Sequence, residues 1–197
     1  FDFLNKGYKI KQFDEEQKYQ RFDLNFDYRF SINLSAKFST QRDKTHDDIG
    51  YLFTEGENIY FGIRDQKTIE NSIDVDYRID NKKSINLNFR NFWSVADYDE
   101  ILFKLKDDGY REITDYALLK SNPNTNFNIW NLDVKFQWWF NPGSNLIFLY
   151  RNQIFNRDNQ SGLDYYKSLK NLFETPVEHQ ISLRINYLID ANLFRKK

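Results

Sequence analysis

The chain has 197 residues, of which 40% are hydrophobic and 18% aromatic, so it is long enough to bury a core. Its 28 basic and 29 acidic residues nearly cancel, which removes the electrostatic attraction that nucleic-acid binding requires. The absence of Cys excludes thiolate metal sites. No apolar run approaches the roughly 20 residues of a transmembrane helix. A mean hydropathy of −0.77 is nevertheless compatible with a transmembrane β-barrel, whose strands alternate lipid-facing and lumen-facing residues.

The first strong strand signal covers residues 22–38, where every even residue is apolar and every odd residue is polar. This alternation is much longer than a usual strand of about 5–6 residues. We therefore predict two strands that fold back at a short turn near Phe30 and Ser31. A weaker alternation in residues 7–13 predicts a preceding strand.

Three further units repeat this pattern. Residues 68–95 read as two strands joined by the polar turn 80–83, and residues 126–155 read as a long hairpin closed by a tight turn at residues 141–144. The last strand, residues 179–190, alternates Ile, Leu and Tyr with polar residues. The short turns therefore lie at one end of the predicted sheet.

The connections at the other end are long: residues 41–67, 96–125 and 156–177. Residues 51–53 and 59–61 are expected to pair as one hairpin, and residues 101–106 and 110–115 as another. Apolar residues at helical spacing from Tyr165 to Phe173, after Asp164, predict a short amphipathic helix. It is expected to lie across the mouth of a barrel or against a neighbouring protein. Short turns at one end and long loops at the other are typical of outer-membrane barrels.

The predicted fold is therefore all-β: an antiparallel transmembrane outer-membrane β-barrel with short periplasmic turns and long extracellular loops that carry hairpins and one short helix. Residues 1–197 are expected to form a single barrel portion. The chain contains no Met and begins at Phe1, so we expect a processed or partial product. About eight candidate spans with a weak first span imply that upstream strands of the same polypeptide close the sheet.

The strand parity also predicts which side chains line the lumen and which meet the membrane interface. Structural pairing across a narrow lumen and contact with a solute in a wide lumen are both open for the polar set. The predicted lumen-facing polar residues are Asp27, Arg29, Asp76, Arg78, Arg90, Asp133, Lys135 and Arg184. The predicted interfacial aromatic girdle at the short-turn end consists of Tyr28, Tyr77, Trp138 and Tyr187.

The long hairpin, NFNIWNLDVKFQWWFNPGSNLIFLYRNQIF, resembles a Bacteroidetes outer-membrane family. Members of this family have an N-terminal carbohydrate-binding-like β-sandwich and a large C-terminal barrel domain of unknown function. Residues 59–68 and 182–190 resemble the same family. The resemblance implies that this chain is the C-terminal part of the barrel, located in the outer membrane, and that the sandwich and earlier strands precede it. The resemblance implies no catalytic motif.

Two histidines are the only candidates for His-based catalysis. His46 lies near Asp43, Asp47 and Asp48, where a solvated charge cluster and a cation site are the two interpretations. His179 begins the last strand on its apolar parity, where an interfacial role is expected ahead of catalysis. We predict no catalytic residues, no metal site and no cofactor.

The favoured function is a non-catalytic outer-membrane protein, acting as a membrane-embedded component or scaffold of an envelope complex or in surface glycan handling. A soluble β-sandwich carbohydrate-binding module and an outer-membrane barrel hydrolase are the alternatives. The expected partners are outer-membrane lipid, upstream barrel strands of the same polypeptide, and other envelope proteins or glycans, with no nucleic acid.

Overall fold

The computed structural model describes residues 2–10 and 15–189, which form one antiparallel sheet of nine strands. The strands follow the order β1-β2-β3-β4-β5-β7-β8-β9, and β6 pairs with β5. Since β1 and β9 are the two edges, the sheet is not closed. The strands are β1 Asp2–Ile10, β2 Glu15–Arg29, β3 Leu34–Glu55, β4 Asn58–Arg78, β5 Lys83–Leu105, β6 Arg111–Thr114, β7 Thr125–Asn141, β8 Ser144–Asp158 and β9 Val177–Asn186.

Short turns join the strands at one end, as the alternation predicts. The amide N–H groups of Phe30 and Ser31 both donate to the carbonyl of Leu34, at 2.9 and 3.2 Å, which closes the β2–β3 hairpin. Residues 79–82 close the β4–β5 hairpin, and residues 142 and 143 close the β7–β8 hairpin. The three predicted hairpins are confirmed. Of the predicted first strand, residues 11–13 lie outside the described residues, as does residue 190 of the last strand.

The strand register assigns each side chain to one of two faces. On the face that we call the apolar face, Leu87, Val134 and Tyr150 are aligned across β5, β7 and β8. On the opposite face, which we call the polar face, the neighbouring row aligns Asn88 with Asp133 and Asp133 with Arg151. Because the side-chain period of a strand is two, this register sends the apolar and polar residues of each strand to separate faces.

Within the predicted long loop at residues 41–67, the expected hairpin of residues 51–53 with 59–61 is confirmed, but the loop assignment of the flanking residues is wrong. β3 and β4 continue through it as paired strands of 22 and 21 residues, and only Gly56 and Glu57 separate them. Strand β5 likewise extends to Leu105 and pairs with β6, which confirms the predicted hairpin there. The hydrophobic alternation stops in these segments because both faces carry polar residues, but the backbone hydrogen bonds do not depend on that alternation.

Two irregularities also obscure the alternation. The β3–β4 register shifts between Thr45 and Asp48, where Asp47 has a φ of 56°, and the β4–β5 register shifts between Gly62 and Arg64. An extra residue at such a bulge changes the face to which the following side chains point. The sequence pattern therefore reads as a loop where the structure has a continuous hairpin.

The predicted helix is confirmed as α1, Tyr165–Leu172. The carboxylate of Asp164 caps it by accepting from the backbone N–H of Lys167 at 2.9 Å, and this hydrogen bond lowers the pKa of Asp164. The helix packs on the apolar face at the end of the sheet away from the short turns, which we call the long-strand end. Tyr165 makes an edge contact with Trp93, and Phe173 makes one with Trp130. The helix therefore covers the face of its own sheet and does not lie across the mouth of a barrel, while the expected contact with a neighbouring protein stays a prediction.

No helix in the described ranges is long and apolar enough to cross a membrane.

The buried core occupies the half of the sheet that lies away from the short turns. Its hydrophobic members include Tyr60, Ile63, Trp93, Val95, Leu102, Phe103, Ile154 and Leu172. In the other half of the apolar face, large hydrophobic side chains remain exposed, for example Phe26 at 57% and Leu183 at 60%. The core alone therefore leaves a broad apolar surface uncovered by the described residues.

The β7–β8 turn provides a test of this geometry. Gly143 has a φ of +72°, and a Cβ there would lie 2.6 Å from Cδ2 of Leu188. Gly56 has a φ of +62° with no atom within 4 Å of such a Cβ. The left-handed backbone costs a non-glycine residue about 1–2 kcal/mol at either position. We expect Gly143→Ala to lower the free energy of unfolding by more than Gly56→Ala, because only Gly143→Ala must also displace Leu188.

Equilibrium urea unfolding followed by tryptophan fluorescence measures both variants. Equal losses of stability would contradict the close packing of Leu188 on the turn.

Candidate functional site

A groove on the polar face collects several of the predicted lumen-facing residues. Its volume is about 590 Å³. The register places Asp27 opposite Lys37, Lys37 opposite Asp74, and Asp74 opposite Asn88. We call it the polar groove; its polar lining residues are Asp27, Arg29, Ser35, Lys37, Asp74, Asp76, Asn86 and Asn88.

All eight predicted lumen-facing residues lie on the polar face, and most of the acidic ones have partners. Asp133 accepts two hydrogen bonds from Arg151, at 2.8 and 2.7 Å, in a bidentate ion pair. Arg90 pairs with Glu70 at 2.9 Å, and Asp27 lies 4.0 Å from Lys37. These contacts favour cross-strand structural pairing of these groups.

The remaining members of the predicted set differ in their surroundings. Asp76 accepts a hydrogen bond from Asn86, and Arg29 donates to the carbonyls of Ser31 and Ile32 in the adjacent turn. Arg78, Lys135 and Arg184 have no side-chain hydrogen bond or ion pair within the part of the chain that the structure describes. The polar face therefore combines neutralised pairs with cations that are available to a solute.

The four predicted girdle residues are all exposed but do not form one cluster. Phe140 joins Trp138 and Tyr187, with ring centroids 5.7 and 6.3 Å away. Tyr28 instead contacts Phe30, at 4.7 Å, on β2 near the opposite edge of the sheet. Tyr77 lies between them, opposite Leu34 and Ile85.

The acidic residues near His46 do not converge on it. Asp48 pairs with Arg64 at 2.8 Å, while Asp43 accepts hydrogen bonds from Tyr19 and Gln41. The His46 ring instead lies 2.8 Å from the carboxylate of Asp65. Within the described ranges, no group of three or more His, Asp or Glu residues is placed to hold a metal ion. The cation-site interpretation of this segment therefore has no support in the geometry.

His179 lies on the apolar face beside Asn152. Its Nδ1 is 2.9 Å from the hydroxyl of Tyr150, and the two rings stack at 6.0 Å. Neither histidine has a Ser or Thr hydroxyl among its described hydrogen-bond partners. This arrangement places no Ser or Thr hydroxyl as a nucleophile beside either histidine, and the interfacial role of His179 stays a prediction.

A second concave site lies at the long-strand end of the sheet, with a volume of about 550 Å³. Arg64 donates to Asp48 at 2.8 Å and to the Tyr98 hydroxyl at 2.9 Å, so its guanidinium is fixed in the wall. Lys120 pairs with Glu55, which raises the pKa of Lys120. We call this site the end cleft; it is lined by Tyr51, Phe53, Glu55, Arg64, Tyr98, Lys120, Pro123 and Arg157, among others.

The end cleft was not predicted from the sequence, because its lining residues come from five separated segments. Its chemistry combines ring faces with hydroxyl, guanidinium and carboxylate groups. Tyr51 is 56% exposed, and Arg157 has no described side-chain partner. Flat rings of this kind pack against C–H surfaces, and the polar groups hydrogen-bond hydroxyls.

A third polar arrangement is buried under α1 on the apolar face. Tyr165 donates to Asn91 at 2.7 Å and accepts from Asn71 at 3.1 Å. Asn91 donates to Asn128 at 3.0 Å, and Asn128 donates to Ser168 at 3.2 Å. We call this set the asparagine network; it consists of Thr40, Asn71, Asn91, Trp93, Asn126, Asn128, Tyr165 and Ser168.

The asparagine network attaches α1 to three neighbouring strands. Asn91, Asn126 and Asn128 are each 1% exposed, and Ser168 is fully buried. Burial also raises the pKa of Tyr165, which keeps its hydroxyl protonated as a donor. A signal in the sequence points to this network: Asn71, Asn91 and Asn128 interrupt the apolar parity of β4, β5 and β7.

Tyr165→Phe tests the network, with Tyr166→Phe as its matched control. The first change removes the hydroxyl that bonds the buried Asn91 and the half-buried Asn71, and an unsatisfied buried polar group costs about 1–3 kcal/mol. Tyr166 is 77% exposed, so its change should cost little. We expect faster amide hydrogen exchange in residues 165–172 for Tyr165→Phe only. Equal protection in the two variants would show that the network does not hold the helix.

No curated protein and no solved structure matches this chain. One family model matches it, over residues 1–197, and its description is "Domain of unknown function". Since the match covers the whole chain, the protein belongs to the DUF5916 family.

Proposed function

We propose that this chain is the C-terminal portion of a Bacteroidetes outer-membrane β-barrel that acts as a non-catalytic membrane component. In this proposal the apolar face meets lipid and the polar face lines the lumen. The short turns are periplasmic, and the hairpins and α1 are extracellular. The proposed roles are a scaffold in an envelope complex and the handling of surface glycans.

The exposed half of the apolar face carries this proposal. Large hydrophobic residues on this one face remain accessible from β2 to β9. Their exposed fractions are Phe26 57%, Tyr28 51%, Ile73 37%, Phe148 37%, Ile181 69%, Leu183 60% and Ile185 60%. Contiguous apolar surface of this kind marks an interaction with another protein or with a membrane. No second layer covers it within the described residues. We call this surface the apolar belt.

The height of the apolar belt suits a bilayer. On β7 it runs from Trp130 to Trp138, which is about 27 Å along the strand at about 3.4 Å per residue. A strand tilt near 40° would reduce this to about 20 Å along the membrane normal, close to the roughly 25 Å apolar band of outer-membrane barrels. The polar face at the same level carries ion pairs, which suits a wet interior.

The open edges agree with a portion of a larger barrel. Neither edge strand, β1 nor β9, pairs on its outer side within the described residues. In lipid each unpaired backbone group costs several kcal/mol. The proposal therefore requires further strands that pair with both edges, and we place them in the same polypeptide.

The two alternatives have less support. A soluble β-sandwich carbohydrate-binding module needs a second sheet on the apolar face, and the described residues form one sheet. A barrel hydrolase needs a nucleophile beside a base, whereas His46 and His179 contact Asp65 and Tyr150. Between the two proposed roles, the aromatic and cationic lining of the end cleft favours glycan handling.

An Arg on each face of β9 tests the lipid-facing assignment. Leu183 lies on the apolar face, and the adjacent Ser182 lies at nearly the same depth on the polar face. We expect Leu183→Arg to destabilise the inserted protein by about 2–4 kcal/mol, because the charge enters lipid. Ser182→Arg should have a small effect. Heat-modifiable gel mobility and urea titration of the full-length polypeptide measure both. Equal stabilities would overturn the face assignment.

Cysteine labelling tests the topology. The chain has no Cys, so the unsubstituted chain carries no thiol for labelling and serves as the control for each single variant. Lys82→Cys lies in a short turn, and Asp108→Cys lies in the β5–β6 turn at the other end. Asp108 is preferred to Gly109, whose φ of +81° disfavours a side chain. An impermeant maleimide on intact cells should label Asp108→Cys only; labelling of Lys82→Cys alone would invert the model.

A further inference from the structure

A cluster of cations lies on the apolar face, immediately beyond the apolar belt at the long-strand end. Lys44 is directly opposite Lys67 in the β3–β4 ladder, and its other neighbour is Gln20 of β2. Arg42 lies two residues closer to the belt, between Phe22 and Ile69. Lys18 lies opposite His46, two residues before Gln20 on β2 and farther from the belt. We call Lys18, Arg42, Lys44 and Lys67 the basic patch.

The basic patch has no internal charge compensation. None of its four cations has an acidic group within 4 Å among the described residues. On the polar face, by contrast, Arg90 pairs with Glu70 and Arg151 pairs with Asp133. Asp65, two residues before Lys67 on the same face of β4, is engaged with His46 at 2.8 Å, and Asp97 of β5 lies directly opposite Asp65. Like charges directly opposite each other in a sheet are destabilising. The Lys44–Lys67 pair therefore favours an anion between the two ammonium groups.

The depth of the patch indicates where that anion comes from. Thr40 lies four residues before Lys44, and its partner Asn71 lies four residues after Lys67; this pair marks the end of the apolar belt. Lys and Arg side chains at such a boundary extend their charged ends into the polar headgroup layer while their stems cover apolar surface. Phe22 and Ile69 beside Arg42 provide that surface.

We propose that the basic patch binds the phosphate groups of an anionic lipid headgroup in the outer leaflet. The Lys ammonium groups bind phosphate oxygens as point charges, and Arg42 adds a planar donor pair. Tyr165 of α1 accepts a hydrogen bond from Asn71, two residues after the Ile69 that lies opposite Arg42, so α1 begins beside the inner edge of the patch. This inference rests on the proposed function, since it places the apolar belt in lipid.

The test measures lipid binding by the purified full-length polypeptide in detergent, using native mass spectrometry. The probe is diphosphoryl lipid A, compared with the same lipid after dephosphorylation and with inorganic phosphate. The test variant is K44Q/K67Q. The matched control is K104Q/K106Q, which removes the same charge from the β5–β6 hairpin. K44R/K67R keeps the charge and tests for rescue.

We expect the affinity of K44Q/K67Q for diphosphoryl lipid A to fall about 30-fold, since each basic residue near an anionic lipid surface contributes about fivefold. The control and K44R/K67R should stay within about twofold of the parent. Equal affinities for K44Q/K67Q and its control, or for the phosphorylated and dephosphorylated lipid, would overturn the inference. Inorganic phosphate that binds as tightly as the lipid would overturn the lipid source.

The two levels of the proposal fail differently. A parent polypeptide that remains soluble without detergent and does not insert into membranes would overturn the proposed function and this inference together. A membrane-inserted parent whose lipid A affinity is unchanged by K44Q/K67Q would overturn this inference alone.

Discussion

The backbone hydrogen-bond register between neighbouring strands is the constraint on which the rest of this structure depends. Because the side-chain period of a strand is two, a slip of one residue would exchange the apolar and polar faces completely. The same register that aligns Leu87 with Val134 also aligns Asn88 with Asp133. The exposed apolar belt, the ion pairs of the polar face and the opposed lysines of the basic patch are therefore consequences of one pairing pattern.

The two faces satisfy their polar groups in different ways. On the polar face, charges such as Asp133 and Arg151 pair across neighbouring strands and remain half-exposed. On the apolar face, the asparagine network is buried under α1, so each amide must find a protein partner. Neutral amides suit that place, because they can be fully hydrogen-bonded without the desolvation cost of a buried charge. The apolar face is exposed along the apolar belt and is covered by α1 where the asparagine network begins.

Together these features give the long-strand end most of the site chemistry. The end cleft opens on the polar face near the β3–β4 turn, and the basic patch and α1 lie on the apolar face closer to the apolar belt. The short-turn end carries exposed aromatics, including Trp138 and Tyr187, and small hydrogen-bonded turns. We expect this concentration of binding groups at one end in a membrane protein that meets its ligands on one side of the membrane only. For this reason we favour glycan handling as the role of the proposed barrel.

The sequence by itself determined the all-β class, the three short-turn hairpins, the face of each residue in the belt and the capped helix, because each is encoded by local periodicity or by a single cap. Only the tertiary structure decided that residues 41–50 and 62–67 are strands, since backbone pairing continues where both faces are polar and bulges shift the parity. The positions of α1, of the Asp65 partner of His46 and of the lysine pair depend on the register between strands. A pattern within one strand carries no information about that register.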